Sequence, residues 1–465
     1  MKALSRQRYE ALAGYSRTPL SLLTGIEYEW YSEQNEKVLG VIVQDRADED
    51  FVCMISGRDR VGRYRAVWLS DFFENVEDAQ AVMPDLLRDW AAKDPAEYEQ
   101  ADEPARAMDF FRPRHPPERL YPTFVSIVNL EAYSPAKGIM EAMMYYFEDP
   151  DGNFVEQFQS TAFDARFWEL YLFAVLAECR YAVDRTHPAP DYLCRGIPGE
   201  FFMEAMTVNP TIINGQNVET GKPADPRQME EYMYHHLPIK FAGPLTSKLG
   251  QRYWEQAHIG DRPIVLAIAD FHYKNSMTWS QTGLMTYLYG HIFRHYFEDG
   301  KLVVRAEPIA EHIKGQKRIP SGFFYLPDSE HISAVVSSRE GTISKFSRIG
   351  LKAGFGSRRV RMVRTGKRYV HDPERAEPEE FTILVNDPSY QEDWSEGLEV
   401  YHNPNARILF DPYLLPLATH HFFENGRLRS LIPENAPFGS MTIIGIDDEH
   451  LDADAGDNVE PLHGG

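Results

Sequence analysis

The chain has 465 residues, more than one hydrophobic core needs, and its 43% hydrophobic and 13% aromatic content is that of a globular protein of roughly two to four domains or one elaborated domain. A formal net charge of −22 argues against a protein that coats nucleic acid through its overall field. No apolar run approaches the roughly 18 residues of a spanning helix, Met1 to Tyr15 is too polar for a signal peptide, and the three cysteines, Cys53, Cys179 and Cys194, lack CxxC spacing. The expectation is a cytoplasmic protein that does not engage a membrane, with isolated buried thiols and neither disulfides nor a zinc site.

The first segment, residues 1–104, contains "KVLGVIVQD", "DFVCMISGRD" and "YRAVWL", β-branched and aromatic runs between turn residues, and then a helical pattern from Val76 to Ala92. It reads as a small antiparallel sheet with a helix against it. Proline and charge concentrate in "EPARAMDFFRPRHPPERLYP", so residues 105–150 read as a linker with connecting strands, followed by a tight-turn signal at Asp151-Gly152.

"STAFDARFWELYLFAVLAECR" opens the next segment, residues 151–297, with the strongest helical pattern in the chain. Thr161 and Asp164 have the spacing of an N-terminal cap, and every face is apolar, which predicts a helix buried on most sides. Glu169, with Leu172, Phe173 and Leu176 as its helical neighbours, therefore needs a cation, a metal or a proton. A short strand at Tyr181 to Arg185, a hairpin and a polar loop come next. After these the pattern predicts a helix within "IKFAGPLTSKLGQRYWEQA", a buried strand in "RPIVLAIADF" and an amphipathic helix in "TWSQTGLMTYLYGHIFRHYF". Helix, three strands, helix, strand, helix describes a mixed α/β layer.

The hairpin lies in "PDYLCRGIPGEFFMEAM", residues 190–206. A turn centred between Ile197 and Pro198 sets Asp191 directly opposite Glu204, with Cβ atoms roughly 4.5–5.5 Å apart on one face. Like charges that close repel, so either they share a hard cation such as Mg²⁺ or both lie on a solvated strand edge.

The order of a helical Glu169, then Pro190-Asp191 at a strand, then Glu204-Ala205-Met206 on the paired strand resembles the PD-(D/E)xK nuclease superfamily. The resemblance covers about a third of the chain, from Ser160 to Arg294. It implies a restriction-endonuclease-like fold, a mixed central sheet with helices on both faces, here flanked by β-rich segments. It also implies metal-dependent phosphodiester hydrolysis, with Asp191, Glu204 and Glu169 holding Mg²⁺ or Mn²⁺. The family lysine is replaced by Met206, which cannot orient water or offset phosphate charge. Either the cation has moved to Lys240 or Lys248 on the next helix, or the protein is a catalytically silent nuclease fold used for binding or assembly. Lys248 is the better substitute, with Leu245 and Leu249 to pack beside it. The catalytic set implied is Glu169, Asp191, Glu204 and Lys248.

Other clusters are weaker. His235-His236 and Asp270-Phe271-His272 lack the helical spacing of zinc ligands and read as structural, with Asp270 a secondary candidate at the end of a buried strand. "GLKAGFGS" lacks the P-loop Gly-Lys-Ser/Thr, and no G-x-S-x-G elbow occurs.

Residues 298–445 return to short strands in "KLVVRAEPI", "HISAVVSS" and "FTILVND", the second of which suits either the central sheet or a C-terminal β domain. Within them "KFSRIGLKAGFGSRRVRMVRTGKR", residues 345–368, has nine cations and no acid. It reads either as a nucleic-acid contact, DNA or RNA, through Arg358, Arg359, Arg361, Arg364, Lys367 and Arg368, or as ion-pair partners and a solvated face. Residues 446–465 are acidic with few large apolar groups and read as a disordered tail.

Overall fold

A computed structural model describes residues 1–104, 106–214, 216–219, 221–298, 301–371, 377–434 and 436–447. The N-terminal segment is a five-stranded antiparallel sheet in chain order, Lys2–Leu4, Gly25–Glu33, Val38–Asp45, Phe51–Arg58 and Tyr64–Leu69. Both faces of its middle strand are covered, which its unbroken apolar run requires. Val38 and Ile42 meet Ala79, Met83 and Leu87 of the helix Val76–Ala91, while Leu39 and Val41 meet Tyr9 and Leu12. Asn75 caps that helix by accepting a hydrogen bond from the backbone N–H of Asp78.

Residues 105–150 are not a linker with strands. The described residues there form the helices Pro122–Asn129 and Ser134–Met144, and Phe124, Ile127, Ile139, Met140 and Met143 are buried in the largest core cluster. Of the prolines that suggested a linker, Pro122 sits in the first turn of the first helix, where a missing N–H breaks no bond, and Pro135 plays the same part in the second. The turn at Asp151 leads into the short helix Phe154–Phe158.

The long helix spans Phe163–Glu178, and every residue from Phe167 to Leu176 is buried. Its expected cap is absent. Ala162 stands at the N-cap without a side-chain bond, and the Asp164 carboxylate instead accepts from the Tyr121 hydroxyl at 2.9 Å.

The centre of the molecule is an eight-stranded mixed sheet. Its order runs Arg427–Leu431, Thr419–Glu424, Leu398–His402, Ala334–Ser338, Ile264–Asp270, Gly199–Val208, Tyr192–Gly196 and Ala182–Asp184. The last three strands are antiparallel, whereas Gly199–Val208, Ile264–Asp270 and Ala334–Ser338 run parallel. Helices cover both faces: Trp168 and Tyr171 of the long helix share a core with Phe201, Met203 and Ala267. On the other side Phe241, Leu245 and Leu284 share one with Phe202, Met206 and Leu266. "HISAVVSS" thus belongs to the central sheet, which draws strands from both sides of the expected boundary at 297/298.

The amphipathic helix expected over Thr278 to Phe297 is half the expected length. It spans Gln281–Tyr289, ends at Gly290 with φ +67°, and yields to the strand His291–Glu298 paired with Lys301–Pro308. A glycine in the left-handed region ends a helix without Cβ strain, and the following aromatic and β-branched residues suit a strand.

A three-stranded antiparallel sheet, Glu379–Leu384, Val360–Arg368 and Pro437–Ile446, packs beyond the helix Ile343–Lys352. From residue 448 onward, the expected tail lies outside the described residues. Among the described residues no helix is long and apolar enough to cross a membrane.

Candidate active site

The hairpin register matches the sequence arithmetic, with Tyr192 opposite Met203, Leu193 opposite Phe202 and Gly196 opposite Gly199 around the two-residue turn Ile197-Pro198. One step beyond the ladder, Asp191 and Glu204 extend the pairing through their side chains. The backbone N–H of Asp191 donates to Glu204 Oε2 at 3.0 Å, and the N–H of Ala205 donates to Asp191 Oδ2 at 2.8 Å. Asp191 Oδ1 accepts no hydrogen bond from the described residues.

Glu204 is buried, with Leu266 beside it on the parallel strand. The helix Leu237–Leu249 packs on this face, so Lys248 arrives alongside Leu245 and Leu249 and its ammonium bonds Glu204 Oε1. Tyr253 stands close enough to Glu204 to lower its pKa. Burial and the Asp191 charge raise the Glu204 pKa, and Lys248 and Tyr253 pull it back. Lys240 is elsewhere, paired with Glu219 and donating to Thr211 Oγ1 at 2.7 Å. Met206 lies in the apolar cluster beneath the helix, next to Leu245 and Leu249.

Glu169 receives a cation twice over. Arg166 Nη1 donates to Oε1 at 2.6 Å and Arg185 Nη2 to Oε2 at 2.9 Å, while its backbone carbonyl accepts from the Tyr192 hydroxyl at 3.0 Å. Burial and Asp191 push its carboxyl up to about 7 against these two arginines. Among the described residues, no group of three or more His, Cys, Asp or Glu side chains is arranged to hold a metal ion. Asp191 and Glu204 are therefore brought together with Lys248, while Glu169 stands beside them behind its own arginines. Sequence reasoning missed Arg166, Arg185 and Tyr253. Only Arg166, three residues before Glu169 on the helix, had a local signal.

Away from this centre, His236 Nε2 lies 3.2 Å from Glu219 Oε2 and His235 Nδ1 accepts from the N–H of Ile313. His272 joins Asp270 Oδ1 at 2.7 Å to the Tyr232 hydroxyl at 2.8 Å, and Asp270 Oδ2 is buried without a partner among the described residues.

The basic stretch is largely an internal structure. Lys345, Arg348 and Arg364 are buried among Glu340, Glu392 and Glu396, with Arg348 2.6 Å from Glu392 and 3.0 Å from Glu340, and Arg364 2.7 Å from Glu396. Arg364 thus cannot meet a nucleic-acid backbone, because a buried charge needs its counter-charges close by and here has them. Arg359 pairs with Glu131, Arg361 with Asp447, Lys367 with Glu380 and Arg368 with Glu379. Arg358 is exposed, with no ion pair among the described residues.

Comparison with family models, with curated proteins and with solved structures finds no match to this chain.

Proposed function

We propose that the protein is a metal-dependent nuclease whose centre is Asp191, Glu204 and Lys248. One observation carries the reading: an ammonium from the neighbouring helix reaches Glu204, meeting the need that Met206 leaves open. The order of helix, antiparallel strands, helix and parallel strand around that centre supports a restriction-endonuclease-like core.

The donor chemistry fits one divalent ion rather than two. Asp191 and Glu204 are hard oxygen donors on one face, and Asp191 keeps an oxygen without a bond from the described residues, whereas both oxygens of Glu169 belong to arginines. Asp191 and Glu204 would hold the ion, which when bound supplies polarisation of a phosphate and of a water. Lys248 lends positive charge where the phosphate would carry its developing negative charge, and the backbone N–H of Asp191 holds Glu204 in place. Arg166 and Arg185 keep Glu169 fixed at the edge of the centre.

Incubating the protein with DNA and RNA in Mg²⁺, in Mn²⁺ and in EDTA tests this. Cleavage is expected with either metal and not in EDTA, and Asp191→Ala is expected to abolish it and to remove Mn²⁺ binding by calorimetry. No cleavage of either polymer would leave the second reading, a silent binding module. What favours that reading is that Lys248, Arg166 and Arg185 already neutralise Glu204 and Glu169.

A further inference from the structure

Asp191 reaches the candidate centre along a stretch of chain that makes almost no bonds of its own. His187, Pro188, Ala189 and Pro190 lie between the strands Ala182–Asp184 and Tyr192–Gly196, outside the ladder that pairs them. The two prolines have no N–H to donate. Among the described residues, these four make a single hydrogen bond, from His258 Nε2 to the Ala189 carbonyl at 3.0 Å. A carbonyl can only accept, so His258 carries a proton on Nε2.

The half-buried His258 ring is held in turn. The His187 ring stacks on it, with centroids 4.2 Å apart and planes 7° from parallel, and the Phe202 ring meets it edge-on at 5.6 Å. Its backbone is fixed too: Arg262 Nη1 donates to the His258 carbonyl at 3.4 Å, and Arg262 Nε donates to Glu200 Oε2 at 2.6 Å. The N–H of Phe202 donates to the Pro263 carbonyl at 2.8 Å. Glu200 and Phe202 belong to the strand Gly199–Val208, which also carries Glu204.

The contacts therefore close a ring. It runs from Glu204 to the N–H of Asp191, through Pro190 to the Ala189 carbonyl, across to His258, and by Arg262 to Glu200 on the starting strand. Partners that orient a metal ligand raise its affinity for the ion, because the ligand is already in place when the ion arrives.

We propose that His258 is a positioning residue for the metal site: its Nε2–H holds the Ala189 carbonyl and with it the approach of Asp191 to Glu204. The proposal rests on the nuclease reading and adds to its centre a group that bonds neither carboxylate.

Calorimetric titration of the full chain with Mn²⁺ tests it in the parent, in His258→Ala and in His258→Gln, whose side-chain amide keeps a donor near the place of Nε2. His258→Ala is expected to weaken Mn²⁺ binding roughly tenfold, the lower end of what such partners contribute, and His258→Gln to recover most of that loss. In cleavage assays, the alanine variant should need roughly tenfold more Mn²⁺ for its half-maximal rate and should reach the parent rate at saturation. In metal-free protein, hydrogen exchange at the Asp191 amide should be faster in the alanine variant and near the parent rate in the glutamine variant. Urea midpoints check that both variants are folded. A His258→Ala protein that binds Mn²⁺ as tightly as the parent, or a His258→Gln protein as weak as the alanine variant, would overturn this proposal and leave the nuclease reading standing. A parent that binds no Mn²⁺ and cuts neither DNA nor RNA would overturn the nuclease reading and this proposal with it.

Discussion

Met206 and Lys248 come to the same side of the sheet from different elements, Met206 two residues along the strand from Glu204 and packed with Leu245 and Leu249, Lys248 from the helix above with its ammonium on Glu204. If the ammonium has been relocated between them, the two positions should be partly exchangeable. Lys248→Met is expected to lower the rate of Mg²⁺-dependent cleavage at saturating metal by roughly 10²–10³-fold, the loss typical of one charge-stabilising donor. Adding Met206→Lys to that variant should restore part of the loss, whereas Met206→Lys alone should not raise the parent rate; a Lys248→Met protein that cuts at the parent rate would refute the assignment. Asp191, Glu204 and Lys248 were legible in the sequence because each rests on short-range geometry: a two-residue turn fixes the first pair, and the Leu245 and Leu249 spacing orients the third. Tyr253 was not legible. It follows a left-handed turn at Arg252, φ +51°, that no local pattern announces, and its partner lies on a strand far back in the chain. Arg185 escaped for a similar reason, since its value comes from Glu169 on a different element.

At the scale of elements, periodicity located the N-terminal strands, the long helix and the buried strand Ile264–Asp270 within a few residues. It failed where a residue acted by position rather than by type. Pro122 and Pro135 begin helices instead of breaking a chain into a linker, and Gly290 divides what reads as one amphipathic helix into a helix and a strand. That last case can be tested directly. A Cβ on Gly290 would meet Gly322 Cα at 3.3 Å as well as adopting φ +67°. Gly290→Ala is therefore expected to lower the unfolding free energy by about 1–2 kcal/mol, read as a lower urea midpoint at unchanged m-value, because both the left-handed strain and the close backbone approach act in the same direction. An unchanged midpoint would mean that the helix end relaxes to accept the methyl group.

For the whole molecule, buried titratable groups set opposing pH dependences. Burial holds His236, His312 and His421 down to about 4, so between about pH 4 and 6.5 the unfolded chain takes up protons that the folded one refuses, and stability rises with pH through that window. Burial raises Asp164 to about 6 and Glu169 and Glu178 to about 7, so between about 4.5 and 7 the folded chain keeps protons the unfolded one has lost, and stability falls as pH rises. Above about pH 6.5 only the second trend remains. Calorimetry is expected to show a stability maximum near pH 6.5, and a transition temperature still climbing at pH 8 would contradict it. What the sequence could not disclose at this scale was partnership. Strand patterns show that a segment is extended without naming its neighbour, so the join between Ile264–Asp270 and Ala334–Ser338 was left open, and the positive charge of residues 345–368 gave no sign that Glu340, Glu392 and Glu396 would return to enclose it. That sheet order also imposes a schedule during synthesis. The strand Ile264–Asp270, buried along its whole length, emerges before the 63 residues from 271 to 333 that separate it from its partner Ala334–Ser338, a wait of roughly 3–13 seconds at about 5–20 residues per second. For that interval an apolar strand edge stands unpaired beside the ribosome, open to any other nascent chain, and the cell must either shield it or make this protein slowly enough that copies seldom meet.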